Sequence, residues 1–210
     1  MKLHGIESRQ RFIILFKEFF RKAIHLCSAF IPVFLDNFYN LTLILLISAV
    51  LIYSVCEAMR LHGVNVPLVS AITSAAARKR DENKFVKGPV TLCLGIIAAS
   101  LLFSPPSRSA AIYALAFGDG LASLSGRIFG KIRIPLTQGK TAAGSLTCFA
   151  AIFISCFLTC LPYTENAAFI ALCTAGAGMF IEILPLKDFD NLFIPVILGS
   201  LVKWLLSLGF

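Results

Sequence analysis

Long apolar runs separated by short polar segments dominate the chain, and they predict a series of membrane-crossing helices. A crossing helix needs about 20 predominantly apolar residues, and turn residues such as Pro105–Pro106 separate the runs. Because the connecting segments are short, we expect consecutive helices to be antiparallel neighbours. The predicted spans cover residues 12–35, 41–58, 88–104, 109–128, 142–161, 166–184 and 190–209. The predicted fold class is therefore an all-α, polytopic membrane helix bundle with about seven transmembrane helices.

Three polar segments interrupt this pattern within what we interpret as a single integral membrane domain, 1–210. Residues 1–22 alternate basic and aromatic side chains, which predicts an interfacial basic segment leading into the first span. Residues 61–87 are too polar to cross and predict a cytoplasmic loop, with an interfacial amphipathic helix over 67–77. Residues 127–141 predict a second cytoplasmic loop, which would carry the active site.

Composition and charge support a membrane protein. Hydrophobic residues make up 58% of the chain and charged residues 14%, whereas soluble domains carry about a quarter charged residues. The net charge of +8 would suggest nucleic acid in a soluble protein, but here the basic residues concentrate in alternate loops. We therefore expect a cytoplasmic N-terminus and active site, no nucleic-acid partner and no cleavable signal peptide. The seven cysteines predict small buried hydrophobic residues, since no CxxC pair occurs.

The strongest candidate chemistry lies in the segment GDGLASLSGRIFGK, residues 118–131. An acid at membrane depth is costly, so Asp119 is expected to face a polar cavity with a task there. Helical spacing places Asp119, Ser123, Gly126 and Gly130 on one face, which predicts a groove of small residues leading from the acid.

Two Gly/Lys corners flank the loop that follows, Gly130–Lys131 and Gly139–Lys140–Thr141. Glycine lets backbone amides approach an anion, and lysine supplies a mobile positive charge. An acid for a metal beside such a phosphate pocket suits a nucleoside triphosphate. The G-x-x-x-x-G-K-[ST] motif is absent, which excludes a P-loop fold.

Other polar residues fall on the same predicted side and have simpler interpretations too. His25 is equally compatible with a hydrogen-bonded core histidine, and Glu57–Arg60 with an intrahelical ion pair. Glu182 lies in an apolar helix, where burial requires a partner or a metal. Magnesium prefers carboxylates, water and phosphate oxygens, so Asp119 plus one of Glu57, Glu182 or Asp190 would serve.

The segment 118–131, followed by GKTAAGS, resembles the signature of the CTP-dependent lipid kinases, the dolichol kinase and phytol kinase family. That family is related to the phosphatidate cytidylyltransferases. RKAIH at 21–25, KGP at 87–89 and EILPLKDFDN at 182–191 look like family motifs in the right order. Glu57–Arg60 and Arg78–Glu82 fit the same series. The chain most resembles compact phytol kinase-like members, although Ala142–Ala143 replaces residues that are usually bulkier or acidic.

The resemblance implies a CTP-dependent kinase that phosphorylates the hydroxyl of a membrane isoprenoid alcohol such as phytol, a prenol, a polyprenol or dolichol. It implies Mg²⁺ held by Asp119 with Asp190 or Glu182, the same three residues being catalytic. Supporting roles would fall to Glu57, Arg60, Arg78 and Glu82. The implied partners are the lipid alcohol, CTP and membrane lipids, and a homodimer stays open. The nucleotide-binding residues implied are Arg21, Lys22, His25, Lys87, Gly118, Gly120, Ser123, Gly126, Arg127, Gly130, Lys131, Lys140, Thr141, Gly144, Ser145 and Asn191.

Three alternative functions stay open at the level of sequence. A CTP:lipid-phosphate cytidylyltransferase would use a similar site but attack the α-phosphorus. A diacylglycerol kinase would differ only in the acceptor. A small transporter would use Asp119 to couple to ions, and would place its acids near mid-membrane. The choice of CTP over ATP rests on the resemblance alone.

Overall fold

The structure, a computed structural model, describes residues 16–64, 66–76, 84–135, 137 and 139–209. Regular structure in these residues is helical, apart from one antiparallel β-bridge between Arg133 and Thr141. The predicted all-α class is therefore confirmed. The helices are α1 (16–27), α2 (Ile31–Asn37), α3 (Tyr39–Leu61), α4 (Pro67–Ala76), α5 (Gly88–Leu102), α6 (Ser107–Tyr113), α7 (Gly120–Phe129), α8 (Ala142–Cys160), α9 (Ala167–Ile183) and α10 (Asp190–Ser207).

The helix boundaries follow the predicted apolar runs closely, but the number of evident spans is smaller than seven. Within the described residues, three helical segments are long and apolar enough to cross a membrane, Tyr39–Leu61, Ala142–Cys160 and Lys187–Ser207. Gly88–Leu102 and Ala167–Ile183 are apolar but shorter. These helices suggest a membrane protein. Seven crossings stay a proposal.

Helices α6 and α7 are joined end to end by a π-helical turn, Ala114–Asp119. Such turns are rare and often occur at functional sites. Tyr113 stacks on Phe117 at this point, with ring centroids 5.8 Å apart. Asp119 is the last residue of the turn, so the wider winding sets the direction in which its carboxylate leaves the helix axis.

Helix α8 lies at the centre of the bundle and packs against α7 and α9, while α10 packs against α5 and α9. Ile152 of α8, Leu115 of the π-turn and Leu198 of α10 meet in the main buried cluster. Helix α3 lies at the periphery of the bundle, since almost all of its side chains are at least partly exposed. All seven cysteines are free thiols, as the sequence predicts, but only Cys148, Cys156 and Cys160 are buried. The prediction of a buried side chain is wrong for Cys27, which is exposed at the end of α1.

Candidate functional site

A polar cavity of about 550 Å³ opens among α1, α7, the start of α8 and the α9–α10 connection. Its volume lies within the range of about 300–1,000 Å³ that small-molecule pockets occupy. Six basic and four acidic side chains line it, which are Arg21, Lys22, Arg127, Arg133, Lys140, Lys187, Glu18, Asp119, Glu182 and Asp190. We call it the large cavity. Its mixture of charges, with a basic excess, suits an anion that also carries a cation.

Asp119 is buried at the inner end of the large cavity and is held by α1. Its Oδ2 atom accepts a hydrogen bond from Lys22 Nζ at 2.5 Å, and His25 Nδ1 lies 3.3 Å from the same oxygen. Lys22 and His25 are both buried and lie on one face of α1. The pair keeps two opposite charges together at a depth where either alone would be costly. The structure thus brings the RKAIH segment against the Asp119 segment.

A second ion pair, Lys140–Glu182, also lines the large cavity. Lys140 Nζ donates to Glu182 Oε1 at 2.6 Å, and Ser145 Oγ donates to Glu182 Oε2 at 3.3 Å. Burial alone would lower the pKa of Lys140, but the negative charge of Glu182 and the hydrogen bond to it raise that pKa overall. Lys140 is therefore a charged ammonium at neutral pH, available to an anion in the cavity.

Thr141 begins α8 and organises the glycines around it. Its Oγ1 accepts the N–H of Gly144 at 3.2 Å, as an N-cap residue does. A Cβ atom on Gly126 would lie 2.8 Å from Thr141 Oγ1, and one on Gly130 2.7 Å from it. These glycines therefore allow α7 to approach the first turn of α8. The positive end of the α8 dipole, with Lys140 beside it, faces the cavity and favours phosphate groups there.

Glu18 belongs to the site although the sequence analysis did not single it out. The carboxylate is buried, pairs with Arg21, and accepts from Arg127 at 2.8 Å and from Ser123 at 3.3 Å. The signal was an acid, one of only two, in a strongly basic segment. Arg133 and Lys187 were also missed as lining residues. Lys187 adopts a left-handed backbone conformation (φ 58°), which is uncommon outside glycine and is compatible with a functional constraint.

The structure brings most of the candidate residues together. Those that line the large cavity are Arg21, Lys22, Asp119, Ser123, Gly126, Arg127, Gly130, Lys140, Thr141, Gly144, Glu182 and Asp190. Gly118 and Gly120 allow their turn to contact Ile152 and Leu26 respectively, and Ser145 reaches the site through Glu182. Lys87 and Lys131 are exposed and lie outside the lining of the large cavity. Arg78 and Glu82 fall outside the described residues.

Asp190 and Asn191 connect the cavity to α5. Asp190 Oδ1 accepts the N–H of Asn191 at 2.8 Å, while Asn191 Nδ2 donates to Thr91 Oγ1 at 3.0 Å. A Cβ on Gly95 would overlap the backbone oxygen of Asn191, so α5 and α10 touch at this level. Asn191 therefore positions Asp190, rather than reaching into the large cavity.

Glu57 and Arg60 form a separate cluster outside the lining of the large cavity. Glu57 is fully buried and accepts two hydrogen bonds from Arg60, each 2.8 Å long. It also accepts the N–H of Val86 at 2.9 Å and lies 3.4 Å from Thr73 Oγ1. The cluster joins α3, α4 and the segment before α5. Through Glu57 it fixes the position of Val86, which lines a smaller cavity together with Asp119.

The donor set restricts how a metal would be held. In the part of the chain that the structure describes, no group of three or more His, Cys, Asp or Glu side chains is arranged to hold a metal ion. Asp119 and Asp190 nevertheless line the same cavity. Magnesium commonly binds through one or two carboxylates, water and substrate phosphates, and these residues fit that arrangement.

Comparison with known proteins gives relatives but no family assignment. The chain is 23% identical over 192 residues to "Probable phytol kinase 1, chloroplastic" of Oryza sativa subsp. japonica, covering 84% of this chain and 60% of that protein. It is 26% identical to "Probable phytol kinase, chloroplastic" of Triticum aestivum, with coverages of 84% and 63%. "Farnesol kinase, chloroplastic" of Arabidopsis thaliana is 29% identical over 146 residues, 63% of this chain and 47% of that protein.

The chain thus spans roughly half to two thirds of the length of these curated relatives. No family model matches the chain. No solved structure is significantly similar to it.

Proposed function

We propose that the protein is a membrane-bound kinase that transfers the γ-phosphate of CTP to the hydroxyl of an isoprenoid alcohol. The observation that carries this proposal is the large cavity, where the Lys22–Asp119 and Lys140–Glu182 pairs face one volume beside the start of α8. Relatives named phytol kinase and farnesol kinase support the acceptor class. CTP as donor is carried over from the resemblance of the 118–145 segment.

In this proposal the cations of the cavity hold the triphosphate. Lys140 and the first turn of α8 contact the phosphates, and Lys22 and Arg127 balance the charge that spreads over the transferring group. Asp119 and Asp190 would hold a Mg²⁺, which would supply charge neutralisation for the triphosphate. The alcohol oxygen forms a bond to the γ-phosphorus as the bond to the β–γ bridging oxygen breaks. CDP leaves, and the hydroxyl proton passes to a carboxylate of the cavity.

Position-specific labels test the reaction. Purified protein in lipid nanodiscs, with magnesium, receives CTP labelled at the α or at the γ position, together with phytol, farnesol, a polyprenol or diacylglycerol. We expect label in the lipid only from the γ position and only with an isoprenoid alcohol. Label from the α position identifies a cytidylyltransferase instead, and transfer to diacylglycerol alone identifies a diacylglycerol kinase. The same assay with ATP decides the nucleotide.

We also propose seven crossings, formed by α1–α2, α3, α5, α6–α7, α8, α9 and α10, with the cavity on the cytoplasmic side. Apolar surface on the outward faces of these helices supports this arrangement.

Ile132 and Tyr163 are both exposed and lie at opposite ends of α8. With Cys27 changed to serine, an impermeant maleimide on sealed vesicles should label Ile132→Cys and Tyr163→Cys from opposite sides. Labelling of both from one side contradicts the arrangement.

A further inference from the structure

A second, much smaller cavity of about 40 Å³ lies next to the large one, and we call it the small cavity. Four residues line both cavities, Arg21, Lys22, Asp119 and Asp190. They form a charged wall between the two volumes. A group in the small cavity and a phosphate in the large one would therefore meet at the same carboxylates and cations.

The far side of the small cavity has a different character. Ile24, Val86, Pro89 and Leu92 line it, and Val86 and Leu92 are buried, while His25, Asp188 and Asn191 add polar groups to the lining. These apolar side chains offer nothing to a phosphate or a ribose, whose polar atoms would lose their water without compensation. They suit a carbon chain. The small cavity thus combines the charged wall and further polar groups with an apolar face formed by these four residues.

The volume decides between candidate occupants. A cavity needs roughly 10–15 Å³ to hold one water molecule, so a cavity of about 40 Å³ has room for no more than a few small atoms. A nucleobase is excluded, and so is a whole isoprenoid. The carbon and oxygen of a hydroxymethyl group, with part of the next carbon, fit, and the remainder of a longer molecule must lie outside.

The apolar wall is also held rigidly in place. Val86 donates its N–H to Glu57 at 2.9 Å and accepts from Tyr53 Oη at 3.1 Å through its carbonyl oxygen. Thr91 is bonded to Asn191 on the other side. Because both backbone groups of Val86 are bonded to α3, the small cavity exists before any ligand binds. A preformed cavity of fixed size selects by shape at low entropic cost.

We propose that the small cavity is the acceptor subsite, which takes the hydroxymethyl end of a primary alcohol and points its oxygen across the charged wall. This assignment rests on the proposed function and adds the place where the acceptor is recognised. Ile24 and Leu92 then determine which alcohols enter, because they surround the first carbons of the chain. A hydroxyl at a branched carbon is excluded by the size of the cavity.

A filling substitution with a matched control tests the subsite. Ile24→Phe places a larger side chain in the small cavity, whereas Ile128→Phe makes the same change at an exposed residue outside both cavities. We expect Ile24→Phe to lower kcat/KM for the alcohol about tenfold or more while the Kd of Mg·CTP stays within about twofold. Ile128→Phe should change neither. An unchanged kcat/KM for the alcohol in Ile24→Phe overturns the subsite.

A second variant keeps the test decisive if Ile24→Phe does not fold. Leu92→Ala enlarges the small cavity, so it should raise the rate with a secondary alcohol relative to the primary alcohol of equal carbon number. It should also raise the release of inorganic phosphate from CTP without an acceptor, since water gains room at the charged wall. An unchanged primary-to-secondary ratio contradicts the subsite.

Direct labelling separates failure of the subsite from failure of the proposed function. A ten-carbon primary alcohol with a diazirine at its third carbon, just beyond the part that enters the small cavity, is photolysed with wild-type protein, and the labelled peptide is sequenced. We expect label in residues 21–25 or 86–92, removed by excess farnesol. A groove of about 420 Å³ lined by Phe117, Leu158 and Thr159 is the rival location. Label there, in protein that transfers the γ-phosphate, overturns the subsite alone, and protein without any transfer refutes both proposals.

Discussion

Two clusters of buried acid and base differ in how completely the acid is enclosed. Around Glu57, both carboxylate oxygens are occupied by Arg60, and Val86 and Thr73 also contact them. Asp119 pairs with Lys22 beside His25, and Glu182 pairs with Lys140 beside Ser145. In both pairs the acid and its lysine line the large cavity. The first arrangement holds three segments together. In the proposed function, the second exchanges a lysine for a ligand, and this difference is what we propose separates a structural ion pair from a functional one.

Replacing Asp119 should produce the largest effect. Asp119→Asn keeps the shape but removes the charge that Lys22 and a metal ion would share. We expect phosphoryl transfer to fall by about a thousandfold or more, the size that loss of a preorganised electrostatic contact can reach. Initial-rate assays with labelled CTP measure it, and Glu165→Gln, at an exposed acid far from the cavity, is the control. Activity within tenfold of wild type would remove Asp119 from the metal role.

A substitution of Lys140 tests whether this lysine can leave Glu182 to contact a phosphate of CTP. Lys140→Met keeps the alkyl chain, and we expect the Kd of CTP to rise about tenfold to a hundredfold, because a charge-assisted phosphate contact is lost. Calorimetric titration of CTP measures it.

The double variant Lys140→Met with Glu182→Gln distinguishes the two roles of Lys140. If Lys140 only neutralises Glu182, removing both charges restores CTP affinity. If it contacts the phosphates, affinity stays low. We expect the second result, and recovery to wild-type affinity would assign Lys140 to structure.

The helices were largely predictable, because apolar runs bounded by proline and glycine fix where a membrane helix begins and ends. The spans predicted at 142–161 and 166–184 match α8 and α9 to within a residue or two. The π-turn that ends at Asp119 was not predictable, since the rest of its sequence is as apolar as the helix around it. The number of crossings, which depends on a membrane that the helices only suggest, stays a prediction.

The site was predictable in its residue types and not in its pairings. Asp119 and Lys140 stood out because charge is rare in apolar surroundings. That Lys22 pairs with Asp119, 97 residues away, or Arg127 with Glu18, 109 away, depends on how helices register against each other. Gly126 was interpreted as part of a groove of small residues and Gly130 as a corner that lets the backbone approach an anion; both line the large cavity, and the structure adds that they make room for Thr141. Sequence spacing indicates a shared face and does not reveal what contacts it.

Replacing Glu57 should lower the stability of the fold more than its function, which is the opposite of what we expect for Asp119. Glu57→Gln leaves Arg60 without its counter-charge in a closed cluster, and breaking a buried pair typically costs about 3–5 kcal/mol. We expect a clear fall in thermal midpoint with CTP affinity of the folded protein near wild type. Thermal unfolding in detergent, with and without CTP, measures both. A large loss of CTP affinity without destabilisation would place Glu57 in the site and erase the contrast between the two clusters.

Replacing a glycine beside Thr141 should give the smallest effect. It tests whether the wall of the large cavity depends on the close approach of α7 to α8. Gly126→Ala places a methyl group 2.8 Å from Thr141 Oγ1, and we expect about 1–3 kcal/mol of destabilisation from overpacking, with weaker CTP binding. Gly176 lies in α9 with nothing within 4 Å of an added Cβ. Gly176→Ala should therefore be neutral or stabilise by up to about 1 kcal/mol, because alanine favours a helix. Equal thermal midpoints for the two variants would show that α7 does not need its close approach to α8. The cavity wall would then depend on the ion pairs alone.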